Sequence, residues 1–361
     1  MENKLSTQDV ILQKLYGHTC VIPDLRSFMK SESGGINKHR TLLPLCVHDY
    51  IDSQADASES LSLLPEDPAK AQKVKGADFP LLACLWWPHA SFRKLRVLAF
   101  LVVWLIVWDD ELDGASQFTA YDLNMGQRFR DETRRFVKAS LGLESENPNN
   151  VTENAIIRGF SPIADFIREE YDEEHRLTLT EEIIFVIHMS KVEQENRLGM
   201  DIPSTDQYLA YRLGTNLMGV ICAATELSMD WRIPRSITRG PLVKDVWHQT
   251  NLIIALTNDI LSLKKEIDKG EVYSFVPVLL NQNRTPQNAV DLSIQILQDS
   301  IADLDRIKAD ILASSDQIHS KFLVESCRRY CTGFLEWSLL TPRYKLATVP
   351  RDQTGAMVLL F

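Results

Sequence analysis

The chain has 361 residues, 45% of them hydrophobic and 24% charged, and 39 Lys and Arg stand against 49 Asp and Glu for a formal net charge of −10. That is globular composition, which excludes disorder and low-complexity arrays. The acidic excess excludes nucleic acid as the main partner, because phosphate backbones demand a basic face, so an anionic ligand would have to be met by local cations or by metal.

The segment Met1 to His18 has no basic region followed by an apolar run, so no secretory signal is expected. The first 50 residues show too little periodicity for a core of their own, and Asp52 to Gly76, rich in Ser, Ala, Asp and Lys, reads as a surface connection. Residues 1–76 are therefore expected to cap the domain formed by the rest of the chain. After residue 77, apolar residues recur at i, i+3, i+4 and i+7 and sustained strand alternation is hard to find, which predicts an all-α protein. Helices are expected over roughly 78–87, 91–112, 119–141, 153–173, 179–197, 205–228, 235–269, 272–281, 286–313 and 316–340. Pro80 and Pro88 bracket a short element, Asn147-Pro148-Asn149-Asn150 makes a polar loop, and Ser204 offers an N-cap for the helix carrying Tyr208 and Arg212. The longest apolar run, Val97 to Trp108, has 12 residues, short of the ~18 that a spanning helix needs; it reads as a buried helix, with no stable membrane insertion. Six scattered cysteines form no CxxC pair, which points to free thiols in a reducing, cytoplasmic setting and gives no support for zinc. The sequons at Asn150 and Asn283 are then expected to be unused.

Two segments carry chemistry. In Trp108-Asp109-Asp110-Glu111-Leu112-Asp113, carboxylates follow the most hydrophobic helix of the chain, and Asp109 and Asp113 project within ~40° of each other on a helix. Hard oxygen ligands on one face suit Mg²⁺, which takes one or two carboxylates, several waters and substrate phosphate. The alternative is a solvated helix end, although acids at a C-terminus oppose the macrodipole. In Asn258-Asp259-Ile260-Leu261-Ser262-Leu263-Lys264-Lys265-Glu266, the residues Asn258, Ser262 and Glu266 at i, i+4 and i+8 line one helix stripe with an amide oxygen, a hydroxyl and a carboxylate. The stripe begins inside the apolar run Leu252 to Thr257. A solvated polar face is the alternative, for which Asn and Ser are poor choices beside Lys and Glu.

Both segments, in this order, resemble the two metal-binding motifs of class I terpene synthases, the aspartate-rich motif and the Asn/Ser/Glu triad. Arg212, 46 residues before Asn258 and following Glu195-Asn196-Arg197 and Tyr208, resembles the family's diphosphate-sensing arginine. Lys265 and the pair Arg343-Tyr344, preceded by Gly333 and Trp337, resemble its other diphosphate-binding residues. The resemblance spans roughly residues 77–345, leaving a tail at 346–361. It is nearest in size and texture to the fungal sesquiterpene cyclases, proteins with a single α domain.

The resemblance implies a single-domain helical bundle with an active-site cavity between the helices. It further implies three Mg²⁺ ions held by Asp109 and Asp113 on one side and Asn258, Ser262 and Glu266 on the other, and a prenyl diphosphate bound by Arg212, Lys265, Arg343 and Tyr344. The expected activity is Mg-dependent ionisation of farnesyl diphosphate and closure of the cation to a cyclic sesquiterpene, hydrocarbon or alcohol, with release of diphosphate, by a monomer or homodimer. Aromatic faces stabilise carbocations, and Phe79, Trp104, Trp108 and Trp337 are candidates, each with core packing as its alternative and Trp337 placed first. Leu105 and Ile106 stand where many relatives place Phe. Thr215 and Asn216 occupy the region that in relatives links diphosphate sensing to ionisation.

Rival readings are a diterpene cyclase acting on geranylgeranyl diphosphate, and a chain-elongating prenyltransferase, which would carry a second aspartate-rich motif where this chain has the triad. Further rivals are a phosphohydrolase built on His48-Asp49 with His39 upstream, and an inactive helical binding module, which predicts degraded ligand positions.

Overall fold

The computed structural model describes residues 6–29, 35–52, 63–64, 67–113, 118–199, 201–313 and 317–361. In chain order the helices are α1 Thr7–Leu15, α2 Leu43–Asp52, α3 Pro68–Gly76, α4 Phe79–Trp86, α5 Phe92–Asp113, α6 Phe118–Tyr121, α7 Leu123–Ser140, α8 Ala155–Arg158, α9 Ser161–Glu170, α10 Glu173–Gly199, α11 Thr205–Thr215, α12 Met218–Ala223, α13 Arg235–Thr238, α14 Pro241–Ile267, α15 Phe275–Leu280, α16 Pro286–Ala313 and α17 Gln317–Leu340; two short strands, β1 Thr19–Ile22 and β2 Met357–Leu360, complete the set. The fold is all-α, as the apolar spacing predicts.

The described residues group into two compact units, one within 1–33, 195–218 and 234–361, the other within 34–194 and 219–233. The first is built on α14, which packs against α11, α15, α16 and α17. Pro241 at its first turn costs no hydrogen bond, and its middle, Ile253 to Thr257 and Ile260 to Leu263, is buried on almost every side. The buried threonines of this helix return their hydroxyls to the carbonyl four residues back, Thr250 to Val246 and Thr257 to Ile253, each at 2.7 Å. β1 pairs antiparallel with β2, from Thr19 opposite Leu360 to Ile22 opposite Met357, and rests on α16. Gln287 of α16 acts as a further rung, accepting from the Val21 N–H at 2.8 Å and donating to the Val21 carbonyl at 3.1 Å.

The second unit is built on α5, packed against α2, α4, α6, α8 and α9. Trp104 and Trp108 are about 1% exposed, and each indole N–H is satisfied, by the Ile156 carbonyl at 2.8 Å and by Thr133 Oγ1 at 2.9 Å. Burying large side chains of this kind contributes about 1.5–3 kcal/mol apiece.

Four of the predicted helices are interrupted. The stretch 119–141 breaks at Asp122, which caps α7; 153–173 breaks between α8 and α9, where Pro162 opens a new helix; 235–269 breaks at Gly240, before Pro241; and 205–228 breaks at Asn216 and Leu217, the latter in the left-handed region at φ 67°. Helices α1, α2 and α3 and the β1–β2 pair are not predicted by the apolar spacing. Part of the expected connection over 52–76, residues 53–62 and 65–66, lies outside the described residues; its last third is α3, capped by Asp67 and started by Pro68.

Candidate active site

On α14, Asn258, Ser262 and Glu266 follow one another a turn apart, and the first unit surrounds them with cations and a phenol. Asn258 donates through Nδ2 to the Tyr344 hydroxyl at 2.7 Å, and its Oδ1 accepts from Arg212 Nη2 at 2.8 Å. Arg212 comes from α11, whose first turn is closed by a capping box between Ser204 and Gln207. The same guanidinium donates to Asp259 Oδ1 through Nε at 3.2 Å and Nη2 at 3.0 Å.

Asp259, to which the motif pattern assigns no part, sits at the centre of this network. Its buried carboxylate also accepts from the Tyr208 hydroxyl at 2.5 Å and from the Phe275 backbone N–H at 3.1 Å. Burial pushes its pKa up, while Arg212 and the two further donors pull it back. It stands beside Asn258 and about 100° round the helix, so it anchors the arginine from the flank of the oxygen stripe.

The turn after α17 supplies the remaining groups. Thr341 caps it by accepting the Arg343 N–H at 3.3 Å, and Tyr344 is buried with its ring edge-on to Trp337, centroids 5.8 Å apart. Trp337 is 2% exposed and also leans on Phe334. The ammonium of Lys265 lies 5.6 Å from the centre of the Tyr344 ring. Burial, then the charge of Arg343, draws the Lys265 pKa down to about 8, against the pull of Glu266. Burial raises the Tyr344 hydroxyl to about 12, so it remains a proton donor at neutral pH. Arg212, Asn258, Lys265, Trp337 and Tyr344 are thereby joined in one network, with Asp259 and Tyr208 behind it. Thr215 is buried at the end of α11, and the Asn216 amide is committed to Asn251, donating to its Oδ1 and its carbonyl at 2.7 Å each.

In the second unit, Asp109 is half-buried at the last turn of α5 and Asp113 is exposed at its end. Glu111 is occupied elsewhere, accepting from Lys70 at 3.1 Å and from Thr119 at 3.2 Å. Phe79, 1% exposed, opens α4, and Trp104 packs at 4.7 Å against Phe160. Among the described residues no three His, Cys, Asp or Glu side chains gather as a metal site. Two of the three donors on the α14 stripe are of other types, an amide oxygen and a hydroxyl.

The α14 stripe fits a hard divalent cation on its own geometry. Ser262 is fully buried and its hydroxyl has no hydrogen-bond partner, unlike Thr250 and Thr257 on the same helix. A buried hydroxyl left unpaired costs about 1–3 kcal/mol, a cost that oxygen coordination to a cation would offset. The Asn258 Oδ1 has a second lone pair beyond the one used by Arg212, and Glu266 brings negative charge.

Residues 101–303 match the family model described as terpene synthase family 2, C-terminal metal binding. The chain belongs to the terpene synthase family. The matched segment includes the end of α5 with its aspartates and all of α14 with its oxygen stripe; Trp337, Arg343 and Tyr344 lie beyond it. This terpene synthase is 29% identical to sesquiterpene cyclase hepA of Aspergillus oryzae over 92% of the chain and 91% of that protein. It is 24% identical to silphinene synthase peniA of Penicillium patulum over 93% of the chain and 88% of the relative. It is therefore an enzyme of the cyclase type. Its fold is that of class I terpenoid synthases: an α-eudesmol synthase superposes with a TM-score of 0.69 at 16% identity, covering 84% of this chain and 96% of that one. A linalool/nerolidol synthase from Streptomyces clavuligerus, solved with 2-fluorogeranyl diphosphate, gives 0.70 at 14% identity over 85% and 96%. No described helix is long and apolar enough to cross a membrane.

Proposed function

We propose that this terpene synthase is a sesquiterpene cyclase, with residues 77–345 as its catalytic segment, which ionises farnesyl diphosphate and closes the resulting cation to a ring. The observation that carries the reading is the oxygen stripe of α14, with its buried, orphaned Ser262 hydroxyl, bonded through Asn258 to an arginine and a tyrosine fit to hold phosphate. The relatives named sesquiterpene cyclase and silphinene synthase support a fifteen-carbon substrate. Asp109 and Asp113, and Asn258, Ser262 and Glu266, would hold magnesium, three ions by family resemblance. When bound, magnesium supplies positive charge to the phosphate oxygens of the leaving group.

The chain's own residues do the rest. Arg212 and Arg343 offer planar forks for phosphate oxygens, and Lys265 a point charge. An anionic ligand beside Lys265 holds its proton, offsetting the burial that lowers its pKa. Tyr344 donates its O–H. Asp259 keeps Arg212 extended along α14, so the guanidinium is in place before substrate arrives, which spares the reaction that reorganisation. The face of Trp337 is suited to a cation formed beside the diphosphate.

The test is incubation with farnesyl or geranylgeranyl diphosphate and Mg²⁺, with mass-spectrometric analysis of the organic layer. A cyclic fifteen-carbon product is expected from the former. A longer prenyl diphosphate would mean chain elongation instead, and absence of any product from either substrate would sink the reading.

A further inference from the structure

Helix α1 carries none of the motifs, yet within the α14 unit it is fastened by more than packing. Ile11 and Leu15 are buried, and Gln8 and Lys14 stand on either side, each about 60° round the helix from Ile11. Gln8 Nε2 donates to the Tyr273 hydroxyl at 2.8 Å, just ahead of α15, and Lys14 Nζ donates at 3.2 Å to the carbonyl of Leu280, the last residue of α15. α1 therefore grips α15 at both ends. The Tyr273 hydroxyl donates in turn to the Arg197 carbonyl at 3.2 Å, in the last turn of α10, where carbonyls have no partner within the helix. Apolar burial is non-directional, so these polar grips are what fix α15 along its axis.

What α15 carries is the Phe275 N–H, two residues after Tyr273, bonded to Asp259 Oδ2. The same oxygen accepts from the Tyr208 hydroxyl, and Oδ1 accepts from Arg212. α15 also meets the helix that supplies this arginine. The Phe275 ring leans on that of Tyr208 at 6.0 Å, and Gln282, just past α15, donates through Nε2 to Thr205 at the start of α11. A movement of α15 therefore reaches Arg212 by two routes, through its Asp259 anchor and through its own helix. In a buried polar network of this kind each bond holds its geometry only as well as its neighbours do.

We infer that α1 is a brace for the diphosphate-binding arginine: through Gln8, Lys14 and Tyr273 it holds α15 so that the Phe275 N–H stays on Asp259 and the Arg212 guanidinium stays in its diphosphate-binding position. The inference rests on the cyclase reading above. Gln8 and Tyr273 are positioning residues, acting through Asp259 and α11 on the arginine.

The experiment compares the parent enzyme with Gln8→Ala, Tyr273→Phe and Arg212→Lys. The readouts are affinity for inorganic diphosphate with Mg²⁺ by calorimetry, KM for farnesyl diphosphate, product composition and thermal melting. Tyr273→Phe keeps the ring and removes only the hydroxyl. Gln8→Ala and Tyr273→Phe are each expected to weaken inorganic diphosphate binding and raise KM about fivefold, the size of one net hydrogen bond, with the product mixture unchanged. In an Arg212→Lys background, where the planar fork is already lost, Tyr273→Phe is expected to weaken diphosphate binding by less than twofold more. A further fivefold loss there overturns the inference, because the hydroxyl then acts by another route. Unchanged diphosphate affinity in a folded Tyr273→Phe protein also overturns it, and a lower melting temperature beside that result makes the contact purely structural; if this variant does not fold, unchanged affinity in Gln8→Ala decides in the same way. A shifted product mixture at unchanged affinity overturns it too, by placing the effect on the carbon chain. A parent that gives no product from any prenyl diphosphate overturns the cyclase reading itself, and the inference with it.

Discussion

At Ser262 one hydroxyl separates stability from function. Replacing it by methyl removes an unpaired buried oxygen, so Ser262→Ala should melt no lower than the parent, while the magnesium concentration for half-maximal activity rises about tenfold, the usual effect of degrading a metal's surroundings. A drop in melting temperature with unchanged magnesium dependence would show the hydroxyl to be structural. Arg212 works the other way. Arg212→Ala strands the Asp259 carboxylate, with an expected loss of about 3 kcal/mol in urea unfolding. A third test concerns the thiols. Burial lifts Cys20 and Cys84 to about 11, leaving roughly a thousandth as thiolate at pH 8, and Cys331 is pushed higher still. Cys46, half-exposed on α2, should be labelled first by a thiol reagent on the native protein. Labelling of Cys84 at the same rate would contradict its burial.

Among the elements, α11 depends on its cap. Ser204→Ala should cost about 1 kcal/mol in denaturant unfolding and leave the product profile alone, since Arg212 and Asn216 still tie the helix to α14. Ser204 was legible in the sequence as an N-cap ahead of a periodic run, while the return bond from Gln207 was not. The long helices were legible as well, since their apolar stripes repeat over many turns. The break after α11 was not: apolar spacing runs on through Asn216 and Leu217, and what ends the helix is a left-handed leucine and an amide held by Asn251, 35 residues away. α3 was hidden by its weak apolar face, and four-residue strands such as β1 are too short for alternation to register. The two oxygen motifs could be singled out because the helix period puts their oxygen-bearing side chains on one face and because they resemble the family's metal-binding motifs. The part played by Asp259 could not, since its partners Tyr208 and Arg212 stand 51 and 47 residues off.

Over the whole molecule, the proposed function gives the acidic excess a use in each compact unit. Asp109→Asn in one and Glu266→Gln in the other should each lower kcat about a hundredfold, with melting close to the parent's, as expected when charge stabilisation rather than folding is lost. Chelation of divalent metal should stop diphosphate release, and added Mg²⁺ restore it. The strand pair has a consequence for how such a chain is made. β1 emerges from the ribosome with its hydrogen-bonding edge open, and its partner β2 follows only from Met357 onward. At ordinary elongation rates that wait is on the order of a minute or less. The described residues of the α5 unit all lie within 34–233 and can settle during synthesis, whereas the unit carrying α14 and the network around Arg212 is finished only after residue 357 appears. In a heterologous host, chaperone supply and slow, cool expression should therefore matter more for the α14 unit than for the α5 unit.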